Sequence, residues 1–201
     1  EHEKKGYAGR FGPGLPRVSD GSLLFLMHLI SKMRPAADGG GRVGIVLNGS
    51  PLFTGDARSG ESEIRRWILE QDLLEAIIAL PNDLFYNTGI ATYVWLLSNH
   101  KKADRKGKVQ LIDATRMYAK MKKSLGNKRV FMTEAQIEEV VKVYSGNVDH
   151  ATFANEFVET AKNGNGQGES EPARVVSKVL DSKFFGYRKV TVDRPLQTGK
   201  T

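Results

Sequence analysis

Apolar positions along the chain fall into two alternating patterns, helical stripes and near-continuous short runs, and their order predicts an open α/β sheet. Leu23, Met27 and Ile30 recur at helical spacing behind Ser19 or Asp20, either of which can cap a helix running to about Arg34. Leu24, Phe25, Leu26 and Leu29 fill the other faces of that helix, so it is expected to be well buried. Pro35 and the Gly39–Gly41 run end it. Arg42–Leu47 (RVGIVL), Glu75–Leu80 (EAIIAL) and Ala91–Leu97 (ATYVWLL) are almost wholly apolar, as strands covered on both faces must be. Lys108–Asp113 (KVQLID) is a further short strand. Between the first two strands lie a loop over Asn48–Ser59 and a helix near Glu61–Glu70, with Ile64, Trp67 and Ile68 on one face. This alternation is that of a parallel sheet. One join departs from it: only about eleven residues connect the second and third apolar runs, and a parallel crossover needs a dozen or more. That pair is therefore expected to be antiparallel.

Downstream, Thr133-Glu-Ala-Gln136 matches a capping box, followed by Ile137, Val140, Val141 and Tyr144 at helical spacing and by Gly146 as a stop. Asn163–Gly168 (NGNGQG) reads as a turn or mobile linker, and Tyr187–Val192 (YRKVTV) alternates like an edge strand or an extended arm. Residues 1–130 are accordingly assigned to the sheet domain and 131–201 to a C-terminal helix and tail.

The most informative loop is Pro81–Gly89. It is too polar to be core, yet it presents Leu84, Phe85 and Tyr86 at the end of a buried strand. Open α/β sheets bind ligands at strand ends, and adjacent aromatics suit a flat ligand such as a nucleobase.

Composition narrows the class. The chain is 40% hydrophobic and 26% charged, and no apolar run approaches the roughly 20 residues needed to cross a bilayer. The absence of cysteine excludes disulfides, zinc–cysteine sites and thiol nucleophiles, and is compatible with a reducing cytosol. The opening EHEKKGYAGRF shows no signal-peptide pattern and no initiating Met, which suggests a piece of a longer, cytoplasmic protein. The formal charge of +7 is uneven: Lys101–Arg129 holds eleven Lys or Arg against Asp104 and Asp113, leaving the remainder at −2. Such a segment suits a nucleic-acid contact or a solvated loop.

Catalytic constellations are missing. The four histidines (His2, His28, His100, His150) lack metal-ligand spacing, and His28 reads as a hydrogen-bonded core residue. Ser50 has no evident base, and Gly39–Gly41 precedes a strand without the Lys-Ser/Thr of a phosphate loop.

Several segments, in this order, resemble the modification subunit of type I restriction–modification systems, an adenine-specific DNA methyltransferase. They are RFGPGLP (Arg10–Pro16), FLMHLISKM (Phe25–Met33), GGRVGIVLNGSPLF (Gly40–Phe53), EIRRWILEQDLLEAIIALPNDLFYNTGIATYVWLLS (Glu63–Ser98) and FGYRKVTVDRPL (Phe185–Leu196). The resemblance implies the later half of a Rossmann-like methyltransferase sheet, mostly parallel with an antiparallel last strand, plus a C-terminal helical and extended appendage. It implies S-adenosylmethionine as methyl donor of the parent protein. It also implies DNA, a specificity subunit, a second modification subunit and, in some systems, a restriction subunit as partners. Neither the glycine-rich donor motif nor the Asn-Pro-Pro-Phe motif of such enzymes occurs here. This chain is therefore expected to begin past the catalytic motif, to hold no catalytic or donor-binding residue and to be inactive alone. Phe85 or Tyr86 is expected to stack on the extruded adenine; the opposing expectation is that one ring, or both, packs under the neighbouring strand. Asn87 and Thr88 can contact the base or stabilise the turn before Gly89. Lys120, Lys122, Lys123, Lys128 and Arg129 are expected to contact phosphate. The opposing expectation is a non-catalytic module that keeps the basic segment without needing the aromatic loop.

Overall fold

The structure is a computed structural model and describes residues 3–153, 176–190 and 192. Helix α1 (Ser22–Ile30) leads through a turn into β1 (Arg42–Asn48); a short α2 (Ser50–Phe53) and α3 (Gly60–Glu70) follow. Strands β2 (Leu74–Leu80), β3 (Thr92–Ser98) and β4 (Lys108–Asp113) come next. A hairpin of β5 (Ala119–Leu125) and β6 (Lys128–Phe131) then precedes α4 (Glu134–Ser145) and β7 (Ser177–Asp181).

The main sheet has the order β1-β3-β2-β4-β7. Strands β1, β2 and β4 share one direction; β3 runs against β1 and β2, and β7 against β4. The antiparallel return expected from the short join is present, with Ile77 opposite Trp95 and Leu80 opposite Thr92. Its place follows from the crossover: the connection through α3 carries β2 past one strand position, and β3 turns back to fill that gap.

Strand alternation divides the core between the faces. Trp95, paired with both Ile45 and Ile77, belongs to the cluster that also contains Leu23, Leu26 and Met27 of α1 and Ile64 and Ile68 of α3. Ile78 and Ile112 join Val140 and Val143 of α4 in the other cluster. A buried carboxylate, Glu75, ties α4 to the sheet by accepting from Tyr144 Oη at 2.7 Å and Arg42 at 2.8 Å. Burial, then the hydrogen bond to Glu75, raises the Tyr144 phenol above its ordinary pKa, so it remains a donor.

Several local expectations change. Helix α1 stops at Ile30, and Phe25 is 69% exposed, because the helix buries only one face. The Asn48–Ser59 loop contains α2, with Pro51 in its first turn. Ser59 caps α3 by accepting from Ser62 N–H. The Thr133–Gln136 capping box forms reciprocally, but Val140 and Val143 are the buried valines of α4, and Ile137 and Val141 are about half exposed. Tyr187–Val190 is not a strand; the edge beside β4 is occupied instead by β7, which the sequence pattern did not predict. The linker expected at residues 163–168 lies outside the described residues.

Candidate nucleic-acid interface

Because β1, β2 and β4 are parallel in direction, their C-terminal ends lie on one edge of the sheet. From that edge emerge α2 after β1, the aromatic loop after β2, and the segment that leads from β4 into the β5–β6 hairpin. Ligand sites of open α/β sheets form at this edge.

Within the aromatic loop, Phe85 and Thr88 form an isolated antiparallel bridge, so residues 85–88 make a tight turn with Tyr86 and Asn87 at its corners. The two aromatics separate, Phe85 taking part in the bridge and Tyr86 lying at the turn's corner. Phe85 is half-buried against the cluster of Ile78, Leu80 and Met117, and Tyr86 is 62% exposed. Asn87 is exposed, and the Thr88 hydroxyl accepts from Ile90 N–H at 3.3 Å, which gives it a turn-stabilising contact. Asp83, with φ 56°, starts the turn; its N–H donates to Gly89 O at 3.3 Å.

The basic residues cluster by folding as well as by sequence. Lys120, Lys122, Lys123, Lys128 and Arg129 all lie on the β5–β6 hairpin, and all but the half-buried Lys128 are exposed. The hairpin sits directly on the aromatic loop: Asn127 N–H donates to Tyr86 O at 3.0 Å. Arg129 and Val130 N–H groups donate to Asp83 O at 2.9 and 3.3 Å. Lys128 Nζ lies 5.2 Å from the centroid of the Tyr86 ring. The structure thus joins the two residue groups that sequence reading treated separately. The hairpin and its contact with the loop were missed, although Gly126-Asn127 between two alternating runs is a recognisable turn signal.

Other members of the basic segment point elsewhere. Lys101 is buried, donating to Asp72 Oδ1 at 2.5 Å and to Lys108 O at 3.0 Å. Arg105 is also buried, donating to Gln110 Oε1 at 3.3 Å and to the Tyr144 carbonyl, with its guanidinium 4.5 Å from the Tyr144 ring centroid. Neither can reach phosphate.

His28 is half-buried and not in the core, and is hydrogen-bonded to Arg10; Ser50 Oγ accepts from Arg17 at 2.9 Å, with no histidine among its partners within the described residues. Among the described residues no three His, Asp or Glu side chains form a metal-holding group. The glycine run is not a cofactor cradle: a Cβ at Gly40 would come within 2.5 Å of His100 Cβ, and one at Gly41 within 2.9 Å of Met33 Cβ.

The sheet with its inserted antiparallel strand is an α/β fold shared with solved methyltransferase subunits. The structure superposes on the methyltransferase subunit of a type I restriction–modification system from Streptococcus thermophilus with a TM-score of 0.59. That match has 31% identity and covers 70% of this chain and 27% of the other. The EcoKI M protein shares the fold at 19% identity and TM-score 0.56, covering 85% of this chain and 36% of its own. The family model described as N-6 DNA Methylase matches residues 2–165, and the chain belongs to that family. A methylase subunit of the type I restriction enzyme MjaVII from Methanocaldococcus jannaschii is 38% identical over 113 residues, 56% of this chain and 19% of the relative. The HindI methylase subunit of Haemophilus influenzae is 37% identical over 106 residues, 52% of this chain and 22% of the relative. The matched region spans about a fifth of each curated relative's length.

Proposed function

We propose that this chain forms the target-base side of a type I DNA methylase subunit, which transfers a methyl group from S-adenosylmethionine to the amino group of adenine. The observation that carries the reading is the exposed Tyr86 ring at the sheet's ligand edge, with the basic hairpin docked beside it. An adenine inside a duplex must be extruded before its amino group can react, and the extruded base needs a stacking surface. Tyr86 supplies the aromatic surface, Phe85 anchors the loop from beneath, and Asn87 offers a hydrogen-bonding amide at the same turn. Lys120, Lys122, Lys123 and Arg129 supply charge for the phosphates beside that base.

Backbone contacts of this kind hold the DNA without reading its sequence. A separate specificity subunit would then select the target, and a second methylase copy and a restriction subunit complete the assembly. Its proposed location is the cytoplasm; among the described residues no helix is long and apolar enough to cross a membrane.

Two measurements test this reading. Replacing Lys122 and Lys123 by alanine in the methylase should weaken DNA binding and lower the slope of log K against log salt by about 2. An unchanged slope removes the hairpin from the interface. The methyl-donor chemistry is assigned to other parts of the protein, so calorimetry of this chain with S-adenosylmethionine should show no binding heat. Stoichiometric binding overturns that assignment.

A further inference from the structure

The hairpin touches the aromatic loop at its tip as well as along its side. Residues 126–128 meet Tyr86 in three ways. The Asn127 N–H donates to Tyr86 O at 3.0 Å, the Lys128 ammonium lies 5.2 Å from the ring centroid, and Gly126 allows the approach. Gly126 adopts φ 60°, and a Cβ there would stand 2.7 Å from Tyr86 O, so both its conformation and its lack of a side chain are needed. Farther along β6, the two amides on Asp83 O hold the other side of the turn. The 85–88 turn is thus pinned at its base and its corner, and Lys128 is half-buried where Lys122, Lys123 and Arg129 are exposed.

We infer that the hairpin tip is a positioning device for the Tyr86 ring, in which Lys128 acts on the ring and not on phosphate. The inference rests on the base-stacking reading of Tyr86. A cation held against an aromatic face is attracted by the ring's negative quadrupole. It fixes the ring plane and covers one face, and the extruded base takes the other. A ring already held loses little further rotamer freedom when the base arrives. An ammonium engaged in this way is also poorly placed to reach a DNA backbone.

The test uses the complete methylase assembled with its specificity subunit and compares Lys128→Met, Lys128→Arg, Lys122→Met and Tyr86→Ala. Methylation is measured in a single turnover at saturating DNA, DNA affinity at several salt concentrations, and base extrusion with 2-aminopurine in place of the target adenine. Lys128→Met should slow methylation about three- to fivefold and alter the 2-aminopurine signal. Its salt slope should match that of the unaltered enzyme, and Lys128→Arg, which keeps a cation for the ring, should restore the rate. Lys122→Met should instead lower the slope by about 1. If Lys128→Met behaves like Lys122→Met, or leaves the rate unchanged while Tyr86→Ala slows it, the positioning role is overturned and base stacking stands. If Tyr86→Ala itself leaves the rate unchanged, both fall.

Discussion

Replacing Tyr86 by alanine in the methylase is expected to slow methylation about ten- to a hundredfold, because stacking of a base on an aromatic contributes about 1–3 kcal/mol. The effect should appear in the single-turnover rate at saturating DNA, since the stacking surface is used after the base leaves the duplex. Tyr86→Phe keeps the ring and should retain most of the rate. Phe85→Ala acts by another route. Phe85 packs against the core cluster that contains Ile78, Leu80 and Met117, so its loss should lower the denaturation midpoint and disturb the loop as a whole. A Tyr86→Ala enzyme that methylates at the unaltered rate would remove the ring from the reaction.

On the proposed reading, the arrangement couples two tasks that a base-extruding enzyme must perform together. The hairpin proposed to grip phosphate and the turn proposed to stack on the base share backbone hydrogen bonds, from Asn127, Arg129 and Val130 to the carbonyls of Tyr86 and Asp83. A displacement of the hairpin on binding DNA would therefore move the aromatic turn with it. Phe85, half-buried against the core beneath, gives that movement a fixed base.

Much of this frame was legible in the residues. Runs such as EAIIAL and ATYVWLL identified interior strands, and the length of their join identified the direction of the second. Strand β7 was not legible: as an edge strand it buries little, and SKVLD carries too few apolar residues to stand out. The hairpin was hidden for a different reason. Its lysines invited counting as charge, and their alternation about Gly126-Asn127 went unread. The pairing of Phe85 in and Tyr86 out was left open because a one-residue difference in a turn exchanges the two, and the folded loop decides it by half-burying Phe85 and exposing Tyr86. Counting charge misled most at Lys101 and Arg105. A lysine in a basic run looks solvated until a carboxylate distant in sequence is brought to it.

That pairing leads to the largest stability effect expected here. The Lys101 side chain is 2% exposed and that of Asp72 34% exposed, with 2.5 Å between charges. Asp72 Oδ2 also accepts from Gly107 N–H at 2.9 Å. Asp72→Asn keeps the shape and tolerates the φ of 52° found there, so it isolates the charge. What remains is a buried ammonium with neutral acceptors, the amide oxygen and Lys108 O, and without its counter-charge. Losing one partner of a buried ion pair costs about 3–5 kcal/mol, and the partial exposure of Asp72 places the expected loss near the lower end. Urea denaturation of the chain should show it as a lower midpoint. Adding Lys101→Met to Asp72→Asn should recover much of the loss, because an apolar side chain in that site needs no counter-charge. Lys101→Met should also leave the salt dependence of DNA binding unchanged, which separates this lysine from those of the hairpin. An Asp72→Asn chain with an unaltered midpoint would show that the Lys101 charge does not depend on this carboxylate.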